Sequence, residues 1–125
     1  MKTYVGYRAM EAASDGSATT RRCVVQVVNR GKKRPLRIRH DIAMKSEGFE
    51  WGYGGSGPAQ LAIALIADAC GRRHCTAAIY RRVKFGLIGR LPADGWTITE
   101  QQVRDAVESA YLTLQQDGSG EESSE

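Results

Sequence analysis

Four glycines in six positions, Gly52-Tyr53-Gly54-Gly55-Ser56-Gly57, run straight into Pro58 and then into Ala59-Gln60-Leu61-Ala62-Ile63-Ala64-Leu65-Ile66-Ala67-Asp68-Ala69-Cys70. No other stretch restricts the fold as strongly. Proline is accepted in the first turn of a helix because the donor it lacks would be unpaired there anyway. The residues after it are nearly all apolar or small, as in a helix buried on every side. The pattern predicts a central buried helix that starts at Pro58, is capped by Ser56 or Gly57 and ends near Gly71. With 125 residues, 42% of them apolar, the chain can bury one core around that helix but not two, which excludes a multidomain enzyme.

Upstream of the glycines the signals are those of strands. Residues 3–9 (TYVGYRA) read as a first strand, followed by a polar loop from Glu11 to Thr20. Cys23-Val24-Val25-Gln26-Val27-Val28 is a β-branched run, Asn29-Arg30-Gly31-Lys32-Lys33 supplies a turn, and Leu36-Arg37-Ile38-Arg39-His40 is the second arm of a β-hairpin. Alternation gives that arm an apolar face (Leu36, Ile38, His40) and a basic one (Arg37, Arg39), with Pro35 at its start. Downstream, Ile79, Val83, Leu87 and Leu91 recur every four residues and predict a second helix over about 75–90, although Gly86 and Gly89 weaken it. Trp96-Thr97-Ile98 is a short extended piece. Thr99 and Gln102 have the capping-box spacing before a third helix over about 100–115. The fold class is therefore α+β, a small antiparallel sheet of two or three strands packed against about three helices.

Charge is unevenly spread. Residues 117–125 (DGSGEESSE) hold four acids and no base, so residues 1–116 carry 18 bases against 10 acids. Too few apolar residues lie in that segment to offset the entropy of ordering, so the chain reads as a single domain over 1–116 with a disordered acidic tail over 117–125. Nine bases fall between Arg21 and Lys45, and six more lie between Arg72 and Arg90 with no acid among them. Such clusters attract phosphates and steer encounter with polyanions, or simply solvate a face. No apolar run approaches the roughly 18 residues of a membrane span, and Met1 to Gly6 lack the apolar core of a secretion signal. Three cysteines, an odd number, fit reduced thiols, so a cytoplasmic protein is expected with no membrane partner.

The stretch from Phe49 to Leu65, with Tyr80, Leu91-Pro92 and Trp96-Thr97-Ile98-Thr99, resembles a family of small bacterial and phage proteins of unknown function. The pattern covers roughly residues 49–100, and an opening strand with Tyr4 and Gly6 is similar too. The family's Phe-Lys pair appears here as Val83-Lys84, which keeps an apolar residue in the helix. This resemblance implies a fold and a prokaryotic or phage setting, and no reaction.

Chemistry is sparse. Gly54, Gly55, Ser56 and Gly57 lead into a helix N-terminus, an arrangement that can present backbone N–H groups to an anion. They lack the lysine of a P-loop and the spacing of a dinucleotide fingerprint, and the same glycines are explained by tight turning and packing under Trp51 and Tyr53. One of Gly55 and Gly57 is expected in a conformation closed to other residues. Pro58 stands where the nucleophile-elbow motif around Ser56 needs its last glycine. Glu50, between Phe49 and Trp51, is the catalytic candidate if the protein is an enzyme: burial would raise its pKa toward that of a general base, whereas capping the loop's N–H groups would lower it. Cys70, His74 and Cys75, with Cys23 or His40, match no standard zinc spacing, so no metal and no cofactor is expected. The residues favour a non-enzymatic binding protein that engages nucleic acid or an acidic protein surface through Arg30, Lys32, Lys33, Arg34, Arg37 and Arg39. The alternatives are a small enzyme on an anionic or phosphorylated metabolite, using Glu50 and the 54–57 loop, and a phage or mobile-element accessory protein that modulates a host protein. Few aromatics interleave the basic segments, which argues against sequence-specific single-strand recognition there. Oligomeric state is not readable from the sequence.

Overall fold

The computed structural model describes residues 1–12, 14–16 and 19–124, without the side chains of 19, 20 and 117–124. The expected acidic tail falls on side chains outside that set. Four strands, β1 (Thr3–Ala12), β2 (Thr19–Asn29), β3 (Lys32–Pro35) and β4 (Gly95–Thr99), form one antiparallel sheet in the order β3-β2-β1-β4. Three helices, α1 (Ser56–Ala69), α2 (Ala77–Gly86) and α3 (Glu100–Ser124), complete the α+β fold.

The sheet has four strands rather than two or three, because the extended piece at Trp96 pairs with β1 (Gly6 opposite Trp96, Tyr4 opposite Ile98). Trp96 and Ile98 are buried while Thr97 and Thr99 are exposed, the alternation of a half-buried strand. Tyr4 on β1 and Val25 and Val27 on β2 join them in the core. Gly6 has no room for a side chain: a Cβ there would run into the Trp96 indole. That indole also meets Trp51 edge to face at 5.4 Å, a geometry that contributes about 1 kcal/mol beyond area burial.

The basic arm is corrected most. Arg30 (φ 55°) and Gly31 (φ 79°) make the two-residue turn between the paired Asn29 and Lys32, so the strand that follows is Lys32–Pro35 and not 36–40. Pro35 closes this edge strand instead of opening it, and Leu36 still donates to Val25 O at 3.0 Å. Beyond it Arg39 adopts φ 64°, which no strand tolerates, and His40 is exposed rather than facing the core with Leu36.

Helix α1 is the buried centre, with every residue from Gly57 to Ile66 buried. It starts at Ser56 with Gly55 as the residue before the first turn, and Gly71 (φ 110°) follows its end. Helix α2 is shorter than expected. It stops at Gly86, and residues 88–90 make a separate 3-10 turn. The capping box at α3 forms as read: Thr99 N–H donates to Gln102 Oε1 (2.9 Å) and Gln102 N–H to Thr99 Oγ1 (3.0 Å).

Candidate functional site

The buried surface of α1 contains one polar side chain, Gln60, with no exposure at all. All four of its bonding positions are used on the segment that descends from β3. Its oxygen accepts from Lys45 N–H (2.6 Å) and Ser46 N–H (3.0 Å), and its amide nitrogen donates to Ile38 O and Ala43 O (3.0 Å each). Irregular backbone beside a buried helix needs such partners, because an unpaired buried amide is costly. Gln60 therefore fixes a loop that carries Arg39 at one end and Lys45 at the other.

The hairpin cations divide into two sets. Arg34 pairs with Asp68 (2.8 Å), and Arg39 makes a bidentate pair with Asp41 (2.9 Å to each oxygen), which Arg72 approaches at 3.5 Å. The hydrogen bonds from Arg39 push the Asp41 pKa down to about 2. Arg30, Lys32, Lys33 and Arg37 make no ion pair within 4 Å among the described residues, although Arg37 is near enough to Asp41 to help lower its pKa. Arg34, Arg37 and Arg39 line one cleft of about 240 Å³ against Ala64, Ala67 and Asp68 of α1.

A second cationic cleft, of about 310 Å³, lies at the other end of the helix. Lys45, Arg81 and Lys84 line it together with Gly55, Ser56, Ala59 and Tyr80. No side chain caps the α1 N-terminus there, and no acid occupies its first turn. Of the glycine quartet, Gly55 and Ser56 face this cleft. Gly54 rests under the Phe85 ring, where a Cβ would come within 2.7 Å of Cε1. Gly57 is buried, and a Cβ there would come within 2.7 Å of Glu50 Cβ. The expected special backbone is absent from Gly55, whose φ of −177° any residue adopts, and Gly57 has no positive φ either. Gly52 has it instead (φ 88°), and its N–H donates to Ile88 O at 3.1 Å, docking the loop on the 3-10 turn that follows α2.

Glu50 is committed elsewhere. Its carboxylate lies 3.1 and 3.3 Å from Arg8 Nη1 and accepts from Trp51 N–H at 3.3 Å. Burial opposes its ionisation, but hydrogen bonds from Cys23, Arg8 and Trp51 outweigh that and hold its pKa below the ordinary value. The raised pKa of a general base is therefore not found, and the capping reading is nearer, with Trp51 rather than a loop glycine as the backbone donor. Cys23 is pushed up to about 11, first by burial and then by Glu50, and burial also raises Cys75 to about 11. His74 Nδ1 bonds the Tyr111 hydroxyl (2.8 Å), and His40 Nε2 bonds Ser46 O (2.7 Å). Among the described residues no three His, Cys, Asp or Glu side chains converge as a metal site would require. Among the described residues no helix is long and apolar enough to cross a membrane.

Sequence reasoning missed two nodes. Arg8, besides Glu50, bonds Cys23 Sγ (2.7 Å) and Ala93 O (2.7 Å) and lies 4.7 Å from the centre of a Trp51 ring. Asp68 receives Lys2 (3.1 Å), the Tyr4 hydroxyl (2.8 Å) and Arg34. The signal for the second was present: Asp68 is the one charged residue of α1.

Residues 4–109 match the model described as "Family of unknown function (DUF6166)". No curated protein and no solved structure matches the chain.

Proposed function

The chain belongs to that family, and on this premise we propose that it is a small non-enzymatic binding protein whose basic hairpin engages an anionic partner, nucleic acid or an acidic protein surface. One observation carries the reading. Arg37, exposed and in no ion pair within 4 Å among the described residues although the Asp41 charge is felt there, shares a cleft of about 240 Å³ with Arg34 and Arg39, while Arg30, Lys32 and Lys33 stand exposed on the adjoining turn and strand. Arginine presents a planar fork of donors that matches phosphate and carboxylate oxygens. Arg34 and Arg39 are oriented by Asp68 and Asp41, so the cleft is held in shape before any ligand arrives. The pairing of Glu50 with Arg8 counts against the rival reading of an acid–base enzyme. Three free cysteines support a reducing, cytoplasmic compartment, and the resemblance of residues 49–100 supports a bacterial or phage origin.

The test is a titration of labelled duplex and single-stranded oligonucleotides, and of polyglutamate, at low and physiological salt. Because counterion release makes polyanion binding fall steeply with salt, affinity should drop between the two conditions. Alanine at Arg30, Lys32, Lys33 and Arg37 should weaken binding and flatten the salt dependence. Absence of binding to every polyanion at low salt overturns the proposal.

A further inference from the structure

We infer that the glycine loop is a single-stranded nucleic acid site, in which an unpaired base stacks on Tyr53 and Phe85 while Lys45, Arg81 and Lys84 hold the flanking phosphates. This names the partner of the anion-binding surface and rests on that reading. Tyr53 is 50% and Phe85 61% exposed, unusual for rings at the docked end of a helix. They rest against consecutive glycines. A Cβ on Gly54 would fall 2.7 Å from Phe85 Cε1, and one on Gly55 would fall 2.7 Å from Tyr53 Cε2. Each glycine thus leaves room for one ring. The cationic cleft reaches Gly55 without being lined by either ring, and Lys84 connects them: its Nζ lies 4.4 Å from the Phe85 ring centre, while Lys45 Nζ lies 5.8 Å from that of Tyr80. No carboxylate lines the cleft, and Lys45, Arg81 and Lys84 make no ion pair among the described residues.

Exposed rings beside unpaired cations suit a ligand with both a flat apolar face and a negative backbone. Stacking on aromatic side chains within a positively charged groove is how single strands are held without sequence readout. A duplex keeps its base faces inside, so it can use the cations and not the rings. Carboxylates of an acidic protein likewise gain nothing from Tyr53 or Phe85. The two cationic clefts border different ends of α1, one at Ser56 and Ala59 and the other at Ala64 and Ala67.

Fluorescence anisotropy on the full chain tests this with a labelled oligo(dT), the same oligomer with abasic positions, a duplex of equal length, and polyglutamate as competitor. Oligo(dT) should bind more tightly than the abasic oligomer or the duplex. Tyr53→Ala and Phe85→Ala should each weaken oligo(dT) binding about tenfold and leave the abasic oligomer and the salt dependence unchanged. Tyr53→Phe should retain binding. Both residues are exposed, and an unchanged melting curve confirms that the variants fold. Equal affinity for oligo(dT) and its abasic form, insensitivity to both alanines, or equally effective displacement by polyglutamate overturns the inference while leaving the hairpin reading intact. Loss of salt-dependent binding to every probe overturns both.

Discussion

Arg8 Nη1 lies 3.1 and 3.3 Å from the two carboxylate oxygens of Glu50, joining the projecting half of β1 to the residue that precedes the glycine loop. The same guanidinium holds Ala93 O and lies against Trp51, so one side chain gathers β1, the loop and the turn before β4. Arg8→Ala should cost about 2 kcal/mol, because it leaves Glu50 without its charged partner and removes several hydrogen bonds at once. Glu50→Gln, which keeps the shape and one acceptor, should cost less. Urea midpoints of the two variants check the order. If Glu50 served as a general base, Glu50→Gln would be the severe change for activity rather than the mild one for stability.

The glycines should differ in tolerance according to what each meets. Gly6→Ala forces the Trp96 indole out of the core, an overpacking that costs about 1–3 kcal/mol. Gly57→Ala sets a Cβ against the Cβ of Glu50 and, at 3.3 Å, against its backbone nitrogen, so a buried junction must shift. Gly55→Ala meets the edge of the half-exposed Tyr53 ring, which can swing away, and should barely move the melting temperature. Thermal melts of the three single variants should rank Gly6 worst and Gly55 mildest. Equal losses at Gly55 and Gly6 would contradict this account.

Stability should fall at both pH extremes, for identifiable reasons. Burial works against ionisation of Asp68, but hydrogen bonds from Arg34, Tyr4 and Lys2 hold its pKa below the ordinary value. A depressed carboxylate contributes stability above its unfolded pKa of about 4 and loses it as pH falls through the folded value. Tyr4 is the reverse case: burial and the neighbouring Asp68 carboxylate raise its pKa, so its contribution is complete below about pH 10 and is lost as pH rises further. Asp68→Asn should flatten the acid limb of a urea-midpoint profile, and Tyr4→Phe the alkaline limb. An unchanged profile in both would remove the node from the account.

Local signals were legible and distant pairings were not. The run after Pro58 and the Thr99–Gln102 box report on residues within a turn of each other, and both helices formed there, α1 starting two residues before the expected Pro58 with Gly55 ahead of it and α3 starting at Glu100 but running past 115. Trp96-Thr97-Ile98 alternates correctly, but its partner Thr3–Tyr7 stands at the opposite end of the chain, and nothing local specifies that pairing. Alternation over Leu36–His40 misled, since Arg39 turns left-handed and makes a bidentate pair with Asp41, a local contact competing with the sheet. Among the site residues, the cations were visible as composition. Their division by ion pairing depends on Asp41 and Asp68, and the docking of the glycine loop beside the 88–90 turn depends on the Gly52 to Ile88 hydrogen bond.

Gln60 offers the sharpest link between fold and binding. It touches neither cationic cleft, yet it holds the segment whose ends supply Arg39 to one and Lys45 to the other. Gln60→Leu keeps the volume and removes every one of its hydrogen bonds, leaving two carbonyls and two amides of the 38–46 segment to find water or other partners. Stranding them in the buried interface would cost about 2–4 kcal/mol. Release of the segment into solvent would cost less, and the arginines would then lose their fixed relation to α1. Stability should therefore fall, and at a temperature where the variant remains folded its polyanion affinity should fall as well, with the salt dependence preserved because no charge has been removed. Gln60→Glu separates the two effects. It retains the acceptor for Lys45 and Ser46 but faces Ile38 O and Ala43 O with a carboxylate, so it should be the more destabilising of the pair. A Gln60→Leu protein that binds as tightly as the parent would show that the clefts do not need the segment held, and that the hairpin acts through net charge alone.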